Sequence, residues 1–584
     1  FNSTTGVNFS RLINTVDAAT FGLPTDINQA FDRAPLESSI NFLLGRVGEV
    51  NRGFVASGDR FVPGLYNLKA NFNEYDFYFQ DTWKLKKNLT IDLGLRWEAK
   101  MAPTSSPNGR LRFPDQLVTA GAPNTNSVRW REGGLYRNDW NNLAPSIGFA
   151  WDPKGDGKMA IRSNYRMAFD RINTFVLSSS VFQNLPGIVQ GLADQSIGQA
   201  GGRLGQVQPL APPTRNPNDL AQPAAFGLGN ITVVDPRFET PQTHQWSFGV
   251  QRQIAKQTVV EVNYIGRRAH NLFGAYNANQ VRTTQNGFID AARVAANGGE
   301  SPLINQLMGV DPRRTGAETG SQAFRRLYAA ELRLNGAGAI ANDLGRRLVG
   351  GRSLPEAAGL GQYFFFPFPQ FAGAMNVVDS NDFSTYHALQ MQIDKRFSNG
   401  FTFQVAYTFA KSLDTRSFDP AFTVAAGGNA QSAASSPFDI NNRRYNYAPS
   451  DFDRTHALQS YWVYELPFGK GKKFGGSVGR ATNMVIGGWQ LAGFLTLQGG
   501  RPFTAFSGSN TLYNTVNSTA DCTNCNRAFG QVREEGGIKW YFAPEERGGF
   551  QPTTAFGTLG TTGRNFFRGP GSFNMDVSAS KRVY

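Results

Sequence analysis

The sequence contains no apolar run long enough to cross a membrane as a helix, a task that takes about 18 or more consecutive residues. Charge is scarce, with 17% of the 584 residues charged, against about 25% in an ordinary soluble domain. Only two cysteines and four histidines are present. These scarcities exclude a helical membrane bundle. Cys522 and Cys525, in "DCTNCNR", would need two more ligands to hold zinc, and His244, His270, His387 and His456 lie far off in sequence. No βαβ pattern surrounds the pair, so it reads as a disulfide pinning a loop in an oxidising compartment. There is no Gly-x-Ser-x-Gly elbow, no His-Glu-x-x-His and no phosphate loop, and "GKGKK" (469–473) lacks the spacing of one. Asp152 and Asp156 in "DPKGDGK" lack the distal Glu of a calcium loop and read as a turn. The expectation is a protein that is not an enzyme and holds no cofactor. The net charge of +14 is spread in ones and twos, without a basic helix or an aromatic RNA-binding signature. It points to lipid phosphate or an anionic solute rather than to nucleic acid. The chain opens at Phe1 with no leader, so a signal peptide that was removed, or that the sequence does not include, is expected.

What the chain does have is 47 Phe, 64 Gly and alternation. In "EYDFYFQDTWKLKKNLTIDLGLRWE", Tyr75, Phe77, Phe79, Trp83 and Leu85 share one phase, with Asp76, Tyr78, Gln80, Thr82 and Lys84 in the other. The return run sets Leu89, Ile91, Leu93, Leu95 and Trp97 against Thr90, Asp92, Gly94, Arg96 and Glu98. Period two with a short break predicts a β-hairpin. Similar pairs follow at 145–170, 244–266, 386–414 and 454–504, with a last strand at 571–582. Strands of ~10 residues rise ~33 Å, or ~23 Å along the normal at a tilt of ~45°, close to the ~25 Å apolar band of an outer-membrane barrel. Asp81 breaks the apolar phase, tolerable at the interface or a bulge.

A two-sheet sandwich also alternates, but its strands are usually ~5–6 residues. Here short breaks (86–88, 152–157, 255–257, 398–400, and a longer 467–486) alternate with long ones (99–144, 170–243, 267–385, 412–453, 505–570). That asymmetry belongs to an outer-membrane barrel with its long loops outside the cell. Residues 1–73 are expected to be an extracellular loop with a possible early strand at "SSINFLLGR", and 74–584 the barrel, with a large loop insertion at 267–385. Within it, "NGFIDAARVAANGG" and "QAFRRLYAAELRLNGAGAIANDLGRRLVGG" predict short helices. The aromatic stretch "QYFFFPFPQF" (Tyr363, Phe364, Phe365, Phe366 and Phe368) is a candidate stacking surface, though a small loop core is the favoured reading. Charges in the lumen phase include Asp92, Arg96, Glu98, Arg162, Arg166, Glu261, Asp394, Arg396 and Glu465. Most are expected to pair within the wall. Arg96, Arg162, Arg166 and Arg396 are the lumen-facing candidates, the last three for contacts with a plug or an anionic solute.

The motifs "DFYFQDTWKLKKNLTIDLGLRWE", "PFPQF", "TYHALQMQIDKRFSNGFTFQVAYTFAKSLD", "ELPFGKGKKF", "GGWQLAGFLTLQGGRPFT" and "GRNFFRGPGSFNMDVSASK" together resemble the barrel of TonB-dependent outer-membrane transporters, and most nearly the Oar-like subset. The resemblance spans roughly 70–584. It implies a 22-stranded barrel around an N-terminal plug, with a TonB box coupled to the inner membrane. About half of those strands are visible here, with no plug, TonB box or closing strands, so the chain is expected to be a piece of a longer one. The implied function is TonB-dependent passage of a bulky solute (oligosaccharide, peptide or chelated metal) through the outer membrane of a Gram-negative bacterium. Outer-membrane lipid and the TonB system are the implied partners. The rival readings are a structural or interaction barrel whose surface loops bind partner proteins, and a passive porin.

Overall fold

The structure, a computed structural model, describes residues 5–9, 33–64, 69–105, 112–114, 130–172, 174, 177–182, 189–214, 216–217, 231–369, 371, 375–417, 436–525 and 530–582. Val583 and Tyr584 of the terminal motif, and parts of the long connections, lie outside them. Eleven strands follow one another in a single antiparallel meander. They are β1 (Glu74–Lys86), β2 (Leu89–Lys100), β3 (Leu143–Trp151), β4 (Met159–Phe169), β5 (Gln242–Ala255), β6 (Thr258–Asn277), β7 (Met375–Ser398), β8 (Phe401–Asp414), β9 (His456–Glu465), β10 (Trp489–Gln498) and β11 (Ser572–Lys581). Every strand pairs with its sequence neighbour, and β1 is not paired with β11 among the described residues, so the barrel is open.

The register carries one apolar face across the whole sheet. A single row runs Trp83, Ile91, Phe149, Ser163, Phe248, Tyr264, Leu389, Phe409 and His456, each opposite the next. A slip of one residue at any strand would turn its apolar set to the polar face. The turns fix that register. At Asn399-Gly400 both residues have positive φ (53° and 77°), as a two-residue turn matched to strand twist requires, and Ser398 faces Phe401 across it. In the Asp152 turn the carboxylate accepts from the backbone N–H of Gly157 at 2.7 Å and of Lys154 at 3.2 Å. Asp81 lies on the apolar face opposite Leu93. Its carboxylate accepts from the Thr82 N–H at 2.8 Å and from the Trp83 indole.

Two expectations are corrected. "SSINFLLGR" is not a strand: it falls largely in the helix Arg33–Leu43. Leu36, Ile40 and Leu43 repeat at helical spacing, Glu37 and Asn41 are buried one turn apart, and Pro35 sits in the first turn, where it is tolerated. The nearby strands Glu49–Ser57 and Arg60–Val62 belong to a separate small sheet with Gly6–Asn8 and Val189–Asp194. The insertion is also shorter than 267–385, because β6 and β7 stay paired out to Asn277 and Asn376, across two register shifts.

Above the extended ends of β6–β8 sits a helical cap. Its helices are α1 (Phe288–Ala296), α2 (Pro302–Gly309), α3 (Gly320–Leu327), α4 (Ala329–Arg333), α5 (Ala337–Arg346) and α6 (Leu354–Ala357). They enclose a core of Phe288, Ile304, Leu307, Phe324, Leu344 and Leu354, each fully buried. Ser301 and Thr319 cap α2 and α3, and Thr319 and Gln322 form a capping box.

Candidate functional site

The polar face of the wall and the layer between wall and cap hold the charged groups that alternation cannot hide in lipid. On the polar face Arg96 lies 3.0 Å from both Asp76 and Glu98. Lys100 joins Glu74, Asp76 and Glu98 at 3.3, 3.1 and 3.7 Å. Thr82 donates to Asp92 at 2.7 Å. Further round the wall the pattern changes. Arg162 donates to the Gln251 amide oxygen at 2.8 Å, and Arg166 to that of Gln245 at 3.0 Å. Arg267 reaches the same Gln245 oxygen at 3.3 Å. Arg166, Gln245 and Arg267 stand opposite one another on β4, β5 and β6. Two guanidiniums therefore converge on one neutral oxygen on the polar face, and no carboxylate among the described residues pairs with either. Arg396 is exposed, and its backbone N–H donates to Gln257 at the short-turn end, away from the other three.

Glu261 and Asp394 are absorbed by amides: Asn263 donates to Glu261 at 2.7 Å, and Gln392 and Gln404 to Asp394 at 2.6 Å each. Lys472 pairs with Glu465 at 3.2 Å.

At the upper ends of β7 and β8 lies a buried ionic layer that the sequence does not reveal. Arg416 Nε is 2.7 Å from Asp382, and Arg443 is 2.7 Å from Asp379 and 3.4 Å from Asp382. The Arg443 guanidinium also lies over the Tyr276 ring at 5.1 Å. Arg564, wholly buried, is 2.7 Å from Asp414 and donates to the carbonyls of Asp414 and Asn446 at 3.0 and 2.9 Å. Arg568 pairs with Asp453. Burial pushes the Asp382 carboxyl up, but the flanking Arg416 and Arg443 outweigh it and hold it below the usual carboxylate range. Asp379 goes the other way, raised by burial that Arg443 only partly offsets.

The chain entering the cap, and α5 within it, are fastened by polar contacts to the 505–565 segment and to Phe438. Gln280 donates to Thr515 at 2.7 Å and to the Phe438 carbonyl at 3.1 Å. Thr283 donates to the Leu512 carbonyl at 2.8 Å, and Asn514 to Asn342 at 2.9 Å. Of the aromatic candidates, Phe365, Phe366 and Phe368 are buried, Phe365 edge-on to Phe288 at 5.1 Å. Tyr363 and Phe364 are half-buried and line a shallow cleft with Gln285, Asn286 and Leu360. Cys522 and Cys525 form a disulfide in the same segment.

The structure thus brings Arg162 and Arg166 together on β4, leaves Arg96 in an acidic cluster and separates Arg396. It adds Arg267, whose phase with Glu261 and Asn263 is readable in "EVNYIGRR". Arg416, Arg443 and Arg564 had no periodic signal.

A family model described as "Outer membrane beta barrel domain" matches residues 4–584. No curated protein matches the chain. Among solved structures, the outer membrane transporter YddB from Escherichia coli is similar at 10% identity and TM-score 0.33, covering 91% of this chain and 53% of its own. The FrpB iron transporter from Neisseria meningitidis is similar at 9% identity and TM-score 0.34, covering 88% and 39%. The pyoverdine outer membrane receptor FpvA from Pseudomonas aeruginosa PAO1 is similar at 8% identity and TM-score 0.32, covering 77% and 34%. The chain spans about half or less of the length of each.

Proposed function

Since the chain belongs to the outer membrane β-barrel domain family and lies in the outer membrane, we propose that it forms wall and surface cap of a TonB-dependent transporter for a bulky solute. Oligosaccharide, peptide and chelated metal remain the solute classes. The observation that supports this reading is the Arg162, Arg166 and Arg267 group, whose guanidiniums are held by neutral glutamine oxygens on the polar face of the wall. A hydrogen bond to a charged donor leaves the charge itself available to a carboxylate or phosphate, whether on a plug or on a passing solute. Around them a polar face spans several strands, as a filled or conducting interior needs.

The test is intact mass and N-terminal peptide mapping of the chain from outer membranes, with solute uptake before and after a protonophore. A mass well above 64.0 kDa with plug peptides, and uptake that stops on de-energising, supports the transporter. Ion conductance that ignores the protonophore and needs no plug would establish the porin instead. The interaction reading draws on the cap having its own core, and it predicts surface partner binding without uptake.

A further inference from the structure

Four of the five short-side connections span 3 to 6 residues, and the fifth, 467–486, is a hairpin with its own helix, Arg480–Ile486. Residues 467–488 hold Lys470, Lys472, Lys473 and Arg480 and no acidic residue. The same hairpin leaves large apolar side chains uncovered: Val485 is 68% exposed, Met484 51%, Phe474 49% and Phe468 42%. Charge and grease on one short element describe an interfacial surface.

Its placement says which one. The helix ends against the apolar face of the wall, not the lumen. Trp489, in the apolar phase of β10, donates its indole N–H to the Val485 carbonyl at 2.9 Å. Lys581, opposite Trp489 on β11, donates to the same carbonyl at 2.7 Å and to that of Met484, and lies over the Trp489 ring at 5.0 Å. A cation and an indole thus close the last turn of the helix. Inside the hairpin, Asn483 accepts from the Lys470 N–H at 2.7 Å. Between hairpin and strand ends is a cleft whose lining includes Lys470, Lys472, Arg582, Trp489 and one carboxylate, Glu465, which lies 3.2 Å from Lys472, so that three cations face a single acid.

The geometry points to a lipid foot: the 467–488 hairpin rests on the periplasmic leaflet, with Met484 and Val485 in the acyl boundary and the phosphate of an anionic phospholipid in the Lys470–Lys472–Arg582 cleft. The apolar face of the wall continues directly into Trp489 and Val485, and short turns of such barrels face the periplasm. An acidic periplasmic protein is the competing occupant, but it would leave unexplained why the helix end is fastened to the lipid side. This inference does not depend on what the barrel transports.

The full chain is placed in nanodiscs of phosphatidylcholine with and without phosphatidylglycerol, and retained lipid is read by native mass spectrometry. Each cation near an anionic surface contributes about a fivefold preference. Lys470→Gln/Lys472→Gln/Arg582→Gln should therefore cut phosphatidylglycerol retention on the order of a hundredfold while the heat-modifiable gel shift of the folded barrel persists. In parallel, an environment-sensitive dye on Val485→Cys should be quenched by brominated lipid. Unchanged lipid retention in the triple variant overturns the headgroup site. A dye quenched from water rather than from lipid overturns the foot and hands the hairpin to a periplasmic protein.

Discussion

The wall and the cap are built from the same residue types turned opposite ways. Phe77 and Phe248 on the wall are 67% and 49% exposed, while Phe288 and Phe324 in the cap are fully buried. In the wall the outside is greasy and held by ladder hydrogen bonds, which need no apolar core. In the cap the outside is polar, and stability comes from area removed from water. The solvent on each side decides which arrangement is stable, and the ionic layer of Asp379, Asp382, Arg416, Arg443 and Arg564 marks where one regime gives way to the other.

The contrast can be broken most severely in the cap. Phe324→Ala should destabilise it by ~3–5 kcal/mol, read as hydrogen exchange across α1–α5. The same change at Phe248, which only loses contact with lipid, should leave the folded barrel nearly unaffected. Equal losses at the two sites would end the distinction. Arg564→Ala should cost a comparable ~3–5 kcal/mol by leaving Asp414 buried without its partner. The measure is protease sensitivity at 436–453, whose contacts with Arg564 hold it down. On the wall, Val405→Arg should cost ~2–4 kcal/mol of insertion stability. Val405 lies midway between the Asn399-Gly400 turn and Lys411, whereas Phe403 is close to the turn and should be milder. Gln404→Arg, beside Asp394 on the polar face, should be mild, and equal effects at 404 and 405 would sink the face assignment. The smallest effect is at Glu318. Arg326 and the Thr315 N–H hold its carboxylate down at about 2. Because that value is depressed, its contribution is present above the ordinary 4.5 and is lost as pH falls from there to about 2. Glu318→Gln should remove that acid dependence from the melting of the cap.

The wall was legible because every position answers to one period. Tyr75 to Trp97 declare their faces by alternation alone, and the pairing of Phe77 with Trp97 follows from the hairpin. Arg267 is equally readable by phase, in step with Glu261 and Asn263. The cap's helices showed as stripes at Phe324 and Leu327, but its attachments did not. Gln280 and Thr515 are 235 residues apart, and Asp414 and Arg564 are 150 apart, separations at which no local pattern survives. In Arg33–Leu43, "SINFLL" alternates briefly as well as repeating at helical spacing, and the helix is the form that buries Glu37 and Asn41 one turn apart.

The sequential pairing of all eleven strands also sets an order in time. Hairpins closed by a few residues form fast, because their ends are already near each other, whereas contacts spanning hundreds of residues wait on slow loop closure. Arg564 cannot reach Asp414 until β9 and β10 are in place between them. The wall can therefore zip strand by strand, and the cap locks only once the chain beyond β10, which carries Thr515 and Arg564, has come round to it.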